Sequence, residues 1–206
     1  MLVLAKSACV IADLDYYYKP AGGLYNVCTQ WRNKSIEYLK NLQPDIVFIG
    51  SSSDHEFSES EWVNGTARVI AKLAPATQNI VIIPGTPALS FDGPSCIRQP
   101  YRFTLRLHNS QNMCEEALTS PASDQVAKYL ARSSNVISGA HILNLNDLVC
   151  PGGYCAARSR EGLTVFRDNQ HLTASFVVAQ TAAVLSRLDS IGLGPSYLEG
   201  TVVSSD

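Results

Sequence analysis

Short runs of apolar residues recur along the chain, separated by longer segments with helical spacing. Four runs are near-continuous and rich in β-branched residues: residues 2–5 (LVLA), 45–50 (DIVFIG), 79–85 (NIVIIPG) and 141–145 (HILNL). A fifth, LTVF, occupies residues 163–166. Continuous runs of this length are typical of strands buried on both faces of a parallel sheet, whereas half-exposed strands alternate. The pattern therefore predicts a parallel sheet.

The segments between these runs predict helices. Asn26–Leu42 forms the first, ending before Pro44 because the residue that precedes a proline disfavours helical geometry. In SESEWVNGTARVIAKLAP, one helical face carries the apolar residues Trp62, Val63, Val69, Ile70 and Leu73. Residues 120–133 and 173–188 predict two more helices. Alternating strands and helices indicate a three-layer α/β sandwich.

Composition narrows the class of protein. A chain of 206 residues with 46% hydrophobic residues can bury one sizeable core, so we expect a single domain over residues 1–206. A net charge of −2 and scattered Lys and Arg give no basic face for nucleic acid. No segment approaches the roughly 20 apolar residues of a transmembrane helix. The first residues lack the positive start of a signal peptide.

The six cysteines predict an oxidising compartment. They are even in number, and none has the CxxC spacing of a zinc site. Of the 15 connectivities that six cysteines allow, proximity in sequence favours Cys9–Cys28, Cys96–Cys114 and Cys150–Cys155. Each pair closes a loop rich in Gly, Pro or polar residues, which a disulfide would restrain. The alternative is six buried thiols in a cytosolic protein.

Asp168 and His171 stand out in the segment VFRDNQHLTASFV. In an α/β sheet the ligand site lies beyond the carboxyl ends of the strands, and this segment follows the fifth apolar run. A carboxylate three residues before a histidine can fold back to Nδ1 and leave Nε2 for a nucleophile, as in a hydrolase triad. The alternative is that Asp168 is the N-cap of the following helix, with His171 in its first turn.

The segment resembles the last sequence block of the SGNH hydrolase superfamily, which carries the catalytic Asp and His as DxxH. More narrowly, it resembles the extracytoplasmic SGNH domain of acyltransferase-3 membrane proteins, where HLT or HLS precedes the final helix. The resemblance extends over nearly the whole chain, through the segments VLAKSAC, CTQWRNKSIEYLKNLQPDIVFI, DGPSCI with Cys114, and LVCPGGYCAA. The resemblance implies a flavodoxin-like three-layer fold, paired cysteines, Asp168 and His171 as catalytic residues, and transfer or hydrolysis of O-acyl groups on glycans.

The sequence departs from the family at the nucleophile. Family members begin with a strand that ends in Gly-Asp-Ser, and no Gly-Asp-Ser occurs in the 206 residues. The first strand, the serine and the following helix are therefore expected to be absent from this chain, whose Met1 lies within the family's second strand. Ser51, Ser52 and Ser53 are the substitutes that the chain itself offers.

The resemblance also implies donors for an oxyanion. Gly50 and Ser52 stand where the family has Gly-x-Asn, so a serine hydroxyl or a backbone amide is expected to take the place of the asparagine amide. Ser7 and Ala8 stand where the family directs a backbone amide toward the oxyanion. The alternative for Ser7 and Ala8 is an ordinary turn held by Cys9.

Other residues add weaker candidates. His141 and Asp147 lack a third ligand at useful spacing, so we expect structural roles, no metal site and no cofactor. Asp54 and His55 are interpreted as a solvated turn. The YYYK of residues 16–19, with Trp31, forms either a carbohydrate-facing aromatic surface or a cover for the core beneath the Cys9–Cys28 loop.

Three functions remain open. The first is a glycan O-acyltransferase domain that passes an acyl group, with acetyl expected, from a serine to a sugar of a cell-envelope polysaccharide. Its acyl donor would be delivered by a fused or partner membrane acyltransferase, outside the cytoplasm. The second is a carbohydrate O-acyl esterase with water as acceptor. The third is a non-catalytic glycan-binding or structural remnant that lacks the nucleophile.

Overall fold

The computed structural model describes residues 1–98, 114–118, 121–135 and 137–194. Contacts divide the chain into two compact units. The first comprises Met1–Gly85 and Ala122–Asn144, and the second comprises the described parts of Thr86–Pro121 and Leu145–Asp206. The prediction of a single domain over residues 1–206 stays a prediction. None of the helices among the described residues is long and apolar enough to cross a membrane.

The elements alternate between strand and helix through most of the chain. In chain order they are β1 (Tyr17–Tyr18), β2 (Gly23–Leu24), α1 (Asn26–Leu42), β3 (Ile46–Gly50), α2 (Glu59–Leu73), β4 (Asn79–Ile83), α3 (Gly93–Arg98), β5 (Glu115–Ala117), α4 (Pro121–Ser134), β6 (Ala140–Ile142), α5 (Asn146–Val149), β7 (Tyr154–Ala156), α6 (Ala174–Ala179) and α7 (Thr181–Ser190). Single 3₁₀ turns occupy Lys19–Ala21 and Pro151–Gly153.

The first unit contains a three-stranded parallel sheet in the order β3-β4-β6. Ile46 of β3 pairs with Asn79 of β4, and Ile80 of β4 pairs with Ala140 of β6. The central strand β4 is the most buried, as its continuous apolar run predicts. The predicted α/β fold with a parallel sheet is therefore confirmed.

The helices of the first unit follow their sequence signals. Helix α1 ends at Leu42, as predicted, and Gln43 closes it in a left-handed conformation with φ 51°. Helix α2 begins with a capping box in which Ser58 and Glu61 bond each other's backbone amides. Its residues Trp62 and Ile70 are buried in the core of the unit.

The predicted strand at residues 2–5 is wrong. These residues form no strand, and Leu2 and Val3 are 50% and 70% exposed. Among the described residues β3 pairs with β4 alone, so residues 2–5 do not occupy the open edge of β3. An apolar run becomes a strand only where adjacent strands take its backbone hydrogen bonds, and none does so here.

The second unit is less regular. Strands β5 and β7 pair antiparallel, and a core packs Leu89, Val165, Phe166 and Phe176 together. The predicted parallel strand at residues 163–166 is wrong: this segment makes only the antiparallel bridges Arg158↔Thr164 and Phe166↔Leu172. Gly162, with φ 85°, reverses the chain immediately before it, which sequence periodicity does not reveal.

The helix predicted over residues 173–188 is two short helices, α6 and α7, that meet at Gln180. At the junction the Thr181 hydroxyl donates to the Val178 carbonyl at 2.7 Å. Side-chain bonds of this kind compete with the helical ladder. All three expected disulfides are present, linking Cys9 to Cys28, Cys96 to Cys114 and Cys150 to Cys155.

Candidate active site

Residues 167–171 form a tight turn between two short extended segments. Phe166 faces Leu172 in an antiparallel bridge, and the Arg167 amide donates to the His171 carbonyl at 2.8 Å. The chain therefore reverses at this point instead of passing from a strand directly into a helix. Asp168 and His171 both lie on the turn.

The two carboxylate oxygens of Asp168 have different partners. Oδ1 accepts hydrogen bonds from the backbone amides of Gln170 and His171, each at 2.7 Å. Oδ2 lies 2.7 Å from Nδ1 of the His171 ring. The carboxylate thus closes the turn and also favours the tautomer that carries its proton on Nδ1. In that tautomer Nε2 can accept a proton, which a general base must do.

Hydrogen bonding lowers the pKa of Asp168 from 3.8 to about 2. The largest cause is the hydrogen bond from the His171 amide, followed by that from the Gln170 amide, and the imidazole lowers the pKa further. Each donor stabilises the ionised form of the carboxyl group. Asp168 is therefore a carboxylate at physiological pH, as a group that orients an imidazole must be.

The pair is accessible. The side chain of His171 is 61% exposed and that of Asp168 is 39% exposed. The guanidinium of Arg167 lies 4.0 Å from Asp168 Oδ2, but this exposed contact is weak in solvent. The imidazole is oriented by one partner and open to a reacting group.

The alternative that Asp168 caps the following helix is wrong. Helix α6 begins at Ala174, and its N-cap is Thr173, whose hydroxyl accepts from the Phe176 amide at 3.3 Å. His171 lies before the helix and outside its first turn. Asp168 bonds the amides of its own turn, an arrangement typical of Asx turns.

A neighbouring loop holds the backbone of the turn. The Leu89 amide donates to the Asn169 carbonyl at 2.8 Å, and the Gly93 amide donates to the Asp168 carbonyl at 3.3 Å. A Cβ at Gly93 would lie 3.3 Å from that carbonyl oxygen, so a glycine permits the close approach. No local motif indicates these contacts, since they join positions far apart in sequence.

In the first unit, Ser7 and Ala8 lie on a strongly held turn. Ala8 has φ 54°, in the left-handed region that a residue with a side chain seldom adopts. The buried Tyr16 donates its hydroxyl to the Ala8 carbonyl, and Tyr25 donates to the Ser7 carbonyl at 3.0 Å. The Cys9–Cys28 disulfide adds a covalent link. Tyr16 therefore belongs to the core, the second of its two sequence interpretations, whereas Tyr17 is exposed.

Gly50 and Ser52 lie at the carboxyl end of β3, also in the first unit. A Cβ at Gly50 would come within 2.9 Å of the Ile83 carbonyl, which explains the glycine. The Ser52 hydroxyl is exposed and accepts from the Asp54 amide at 3.2 Å. The role of Gly50, Ser52, Ser7 and Ala8 as oxyanion donors stays a prediction.

The other two serines of this loop are a hydrogen-bonded Ser51 and a buried Ser53. The Ser51 hydroxyl accepts from the Ile11 amide at 3.2 Å and donates to the Ser52 carbonyl at 3.3 Å. Ser53 is buried. Neither position offers the freely accessible hydroxyl that a nucleophile needs.

His55 is better packed than a solvated turn would be. Its ring stacks on Phe57 with centroids 5.1 Å apart and meets the edge of Tyr16 at the same distance. Burial lowers the pKa of His55 below its ordinary 6.5, and the nearby Asp54 carboxylate offsets part of this effect. The neutral imidazole thus forms part of an aromatic cluster.

A sequence model of the SGNH domain that is fused to AT3 domains matches residues 1–183. The chain belongs to this family. The matched span of the SGNH domain includes Asp168, His171 and all six cysteines. The resemblance drawn from the sequence is thereby confirmed, while the catalytic role of the pair stays a prediction.

One solved structure is similar to this SGNH domain: the lipopolysaccharide acetyltransferase periplasmic domain from Salmonella ser. Paratyphi A. The similarity has a TM-score of 0.60 at 14% sequence identity and covers 89% of this chain and 68% of that one. At this identity the likeness concerns the fold. A comparison with curated proteins found no match.

Proposed function

We propose that this SGNH domain transfers an acyl group, with acetyl as the expected one, to a hydroxyl of a cell-envelope glycan. The observation that carries the proposal is the division of the Asp168 carboxylate. One oxygen closes the turn, and the other lies 2.7 Å from Nδ1 of His171. A turn alone needs one acceptor oxygen. The second carboxylate oxygen contacts the ring of a histidine that is open to solvent.

In the proposed mechanism a serine hydroxyl gives its proton to Nε2 of His171 as its oxygen attacks the acyl carbonyl. The proton then passes to the departing oxygen of the donor, which leaves the acyl group on the serine. In the second half, Nε2 takes the proton of a sugar hydroxyl, the sugar oxygen attacks the acyl-enzyme, and the proton returns to the serine. Asp168 stays ionised throughout and stabilises the imidazolium in both halves.

The serine is proposed to lie on a strand outside residues 1–206. One support is the edge of β3, an apolar strand that pairs on one side alone among the described residues and whose Phe48 is 50% exposed. A second support is the exposed apolar segment at residues 2–5, which has strand-like residues but no strand partner. An added apolar strand would give both features backbone partners.

The acyl donor is proposed to come from a fused or partner membrane acyltransferase, outside the cytoplasm. Family membership supports this assignment, because the matching family is described by its fusion to AT3 domains. Three disulfides, with no free cysteine among the described residues, support an oxidising compartment. A glycan acceptor is supported by the name of the similar structure, a lipopolysaccharide acetyltransferase domain.

The test compares residues 1–206 with the same residues preceded by their own upstream coding sequence, using an aryl acetate as donor. The longer protein is expected to gain one acetyl group on an upstream serine, detected by intact mass and peptide mapping, whereas residues 1–206 show little turnover. Robust turnover by residues 1–206 that is abolished by Ser51→Ala, Ser52→Ala or Ser53→Ala would place the nucleophile in this chain and contradict the proposal.

The acceptor is tested in the same reaction by adding a cell-envelope polysaccharide. A transferase moves the acetyl group to the sugar, whereas an esterase releases it as acetate, because the two differ only in what attacks the acyl-enzyme. Failure of the longer protein to form an acetyl-enzyme with any donor would favour the non-catalytic remnant, which the missing Gly-Asp-Ser motif supports.

A further inference from the structure

Both carboxylate oxygens of Glu116, on β5, accept hydrogen bonds from the same residue, Ser90. Oε1 accepts from the Ser90 backbone amide at 2.6 Å, and Oε2 accepts from the Ser90 hydroxyl at 2.5 Å. A carboxyl group that accepts from two donors of the same residue is fixed in both position and orientation. The contact spans 26 positions in sequence and lies within the second unit.

Ser90 stands next to the residues that hold the Asp168–His171 turn. Leu89, its immediate neighbour, donates its amide to the Asn169 carbonyl at 2.8 Å, and Gly93 donates to the Asp168 carbonyl at 3.3 Å. The loop of residues 89–93 therefore joins the Glu116 carboxylate on one side to two carbonyls of the turn on the other. Any displacement of Ser90 moves an amide that supports the turn.

Covalent links anchor the other end of this arrangement. Cys114, two residues before Glu116, is bonded to Cys96 of α3, the helix that begins with Gly93. Strand β5 pairs with β7, whose Cys155 faces Glu116 and is bonded to Cys150. Glu116 thus extends from a pair of strands held by two disulfides, while the turn that it supports is open to solvent.

We infer that Glu116 is a positioning residue for the Asp168–His171 pair, acting through its two bonds to Ser90 and the loop of residues 89–93. The inference rests on the proposed function of that pair. Asp168 carries its own short bonds but lies on an exposed turn, where a shift of about 1 Å can cost up to about 100-fold in rate. The bonds from Glu116 to Ser90, and from the loop of residues 89–93 to the turn, limit such shifts without contact with the reacting atoms.

The test uses a graded pair of variants. Glu116→Ala removes both acceptors, whereas Glu116→Gln keeps the shape and one acceptor oxygen. Glu115→Ala is the matched control, because it removes a carboxylate with a contact of its own from the opposite face of the same strand and leaves both bonds to Ser90. Ser90→Ala removes the hydroxyl bond alone and leaves the amide bond to Glu116.

The first readout is structural and needs no activity. Long-range ¹H–¹⁵N spectra of the 206-residue chain report the His171 tautomer. Glu116→Ala is expected to replace the single Nδ1-protonated form with a mixture of tautomers. Glu116→Gln and Glu115→Ala are expected to retain that form, and Ser90→Ala is expected to give an intermediate result. A wild-type spectrum in Glu116→Ala, with the fold intact by circular dichroism, overturns the inference.

The second readout is kinetic, in the longer acyl-transferring protein. Glu116→Ala is expected to lower kcat about tenfold with KM unchanged, because the variant disturbs the base and leaves the contacts to substrate in place. Equal losses in Glu116→Ala and Glu115→Ala would overturn the inference. Full activity in His171→Ala would instead contradict the proposed function and leave the spectroscopic result to stand by itself.

Discussion

The hydroxyl of Thr173 accepts a hydrogen bond from the amide of Phe176 at 3.3 Å, and this bond caps helix α6 five residues after Asp168. The Thr173 cap and the Asp168–His171 pair are therefore separate features that lie close together in the sequence. Thr173 also donates its hydroxyl to the Thr164 carbonyl at 2.5 Å, which ties the start of the helix to the preceding segment.

We expect Thr173→Ala to lower the free energy of unfolding by about 1 kcal/mol, the usual effect of losing a helix cap. Asp168→Asn is expected to lower it by less, because an asparagine oxygen can still accept from the amides of Gln170 and His171 and solvent screens the lost charge on this exposed turn. Urea denaturation of the two variants measures the contrast. A larger loss in Asp168→Asn than in Thr173→Ala would show that the charge of Asp168 has a structural role.

The elements that the sequence predicted well are those with local signals. Helix α1 has apolar periodicity and a proline shortly after its end, and its bounds agree with the prediction. Strands β3 and β4 are continuous apolar runs with neighbours to pair with. The segment at residues 2–5 has the same composition but no neighbouring strand, and the segment at residues 163–166 follows a reversal at Gly162. Pairing partners and left-handed turns are not encoded in periodicity.

Removal of disulfides is expected to follow loop length. Replacing Cys9 and Cys28 together with alanine opens a loop of 19 residues, and replacing Cys150 and Cys155 opens one of 5. Loop entropy predicts losses of about 3 and about 2 kcal/mol. Thermal denaturation of the two double variants checks the order, and thiol labelling of unreduced wild-type protein is expected to find no free sulfhydryl. Three or more reactive thiols would contradict the assignment to an oxidising compartment.

Gly85 lies where the chain approaches the loop after β3. A Cβ at this position would lie 2.8 Å from the Ser51 carbonyl oxygen, the Ser53 amide and the Ser53 hydroxyl. We expect Gly85→Ala to destabilise the protein by about 1–3 kcal/mol through overpacking. Gly23→Ala is the matched control, since a Cβ there would meet nothing within 4 Å. Equal melting temperatures for the two variants would show that the loop yields readily.

The half-buried ring of His55 predicts a pH effect on stability. Its pKa is lowered below 6.5 in the folded state, so the unfolded chain binds its proton more readily. The stabilisation is therefore complete above about pH 6.5 and is lost progressively as the pH falls toward the lowered pKa. His55→Phe is expected to reduce the difference between urea midpoints measured at about pH 7.5 and about pH 5. An unchanged difference would assign the effect to other groups.

The contact between Asp168 and His171 could be predicted from the sequence for a physical reason. Asp168 and His171 are three residues apart, and such spacing can close one turn, so their contact is a local property of the sequence. The contacts that support them are not local: Glu116 meets Ser90, and Leu89 meets Asn169, only because the second unit folds. Likewise, no pattern showed that Tyr16 and Tyr25 would donate to the carbonyls of Ala8 and Ser7.

The most direct test of the account is the acyl-transfer rate of Asp168→Asn in the longer protein that carries the upstream segment. In wild type, Oδ1 of Asp168 accepts from two backbone amides while Oδ2 faces Nδ1 of His171. Asparagine can keep the turn with its oxygen, but its amide nitrogen then faces Nδ1 and favours the tautomer protonated on Nε2. The base is disabled although the fold is kept. We predict a loss on the order of 10³–10⁴-fold in kcat, similar to the effect of His171→Ala. Acyl transfer at the wild-type rate in Asp168→Asn would contradict the account and leave Asp168 as a residue that only shapes its turn.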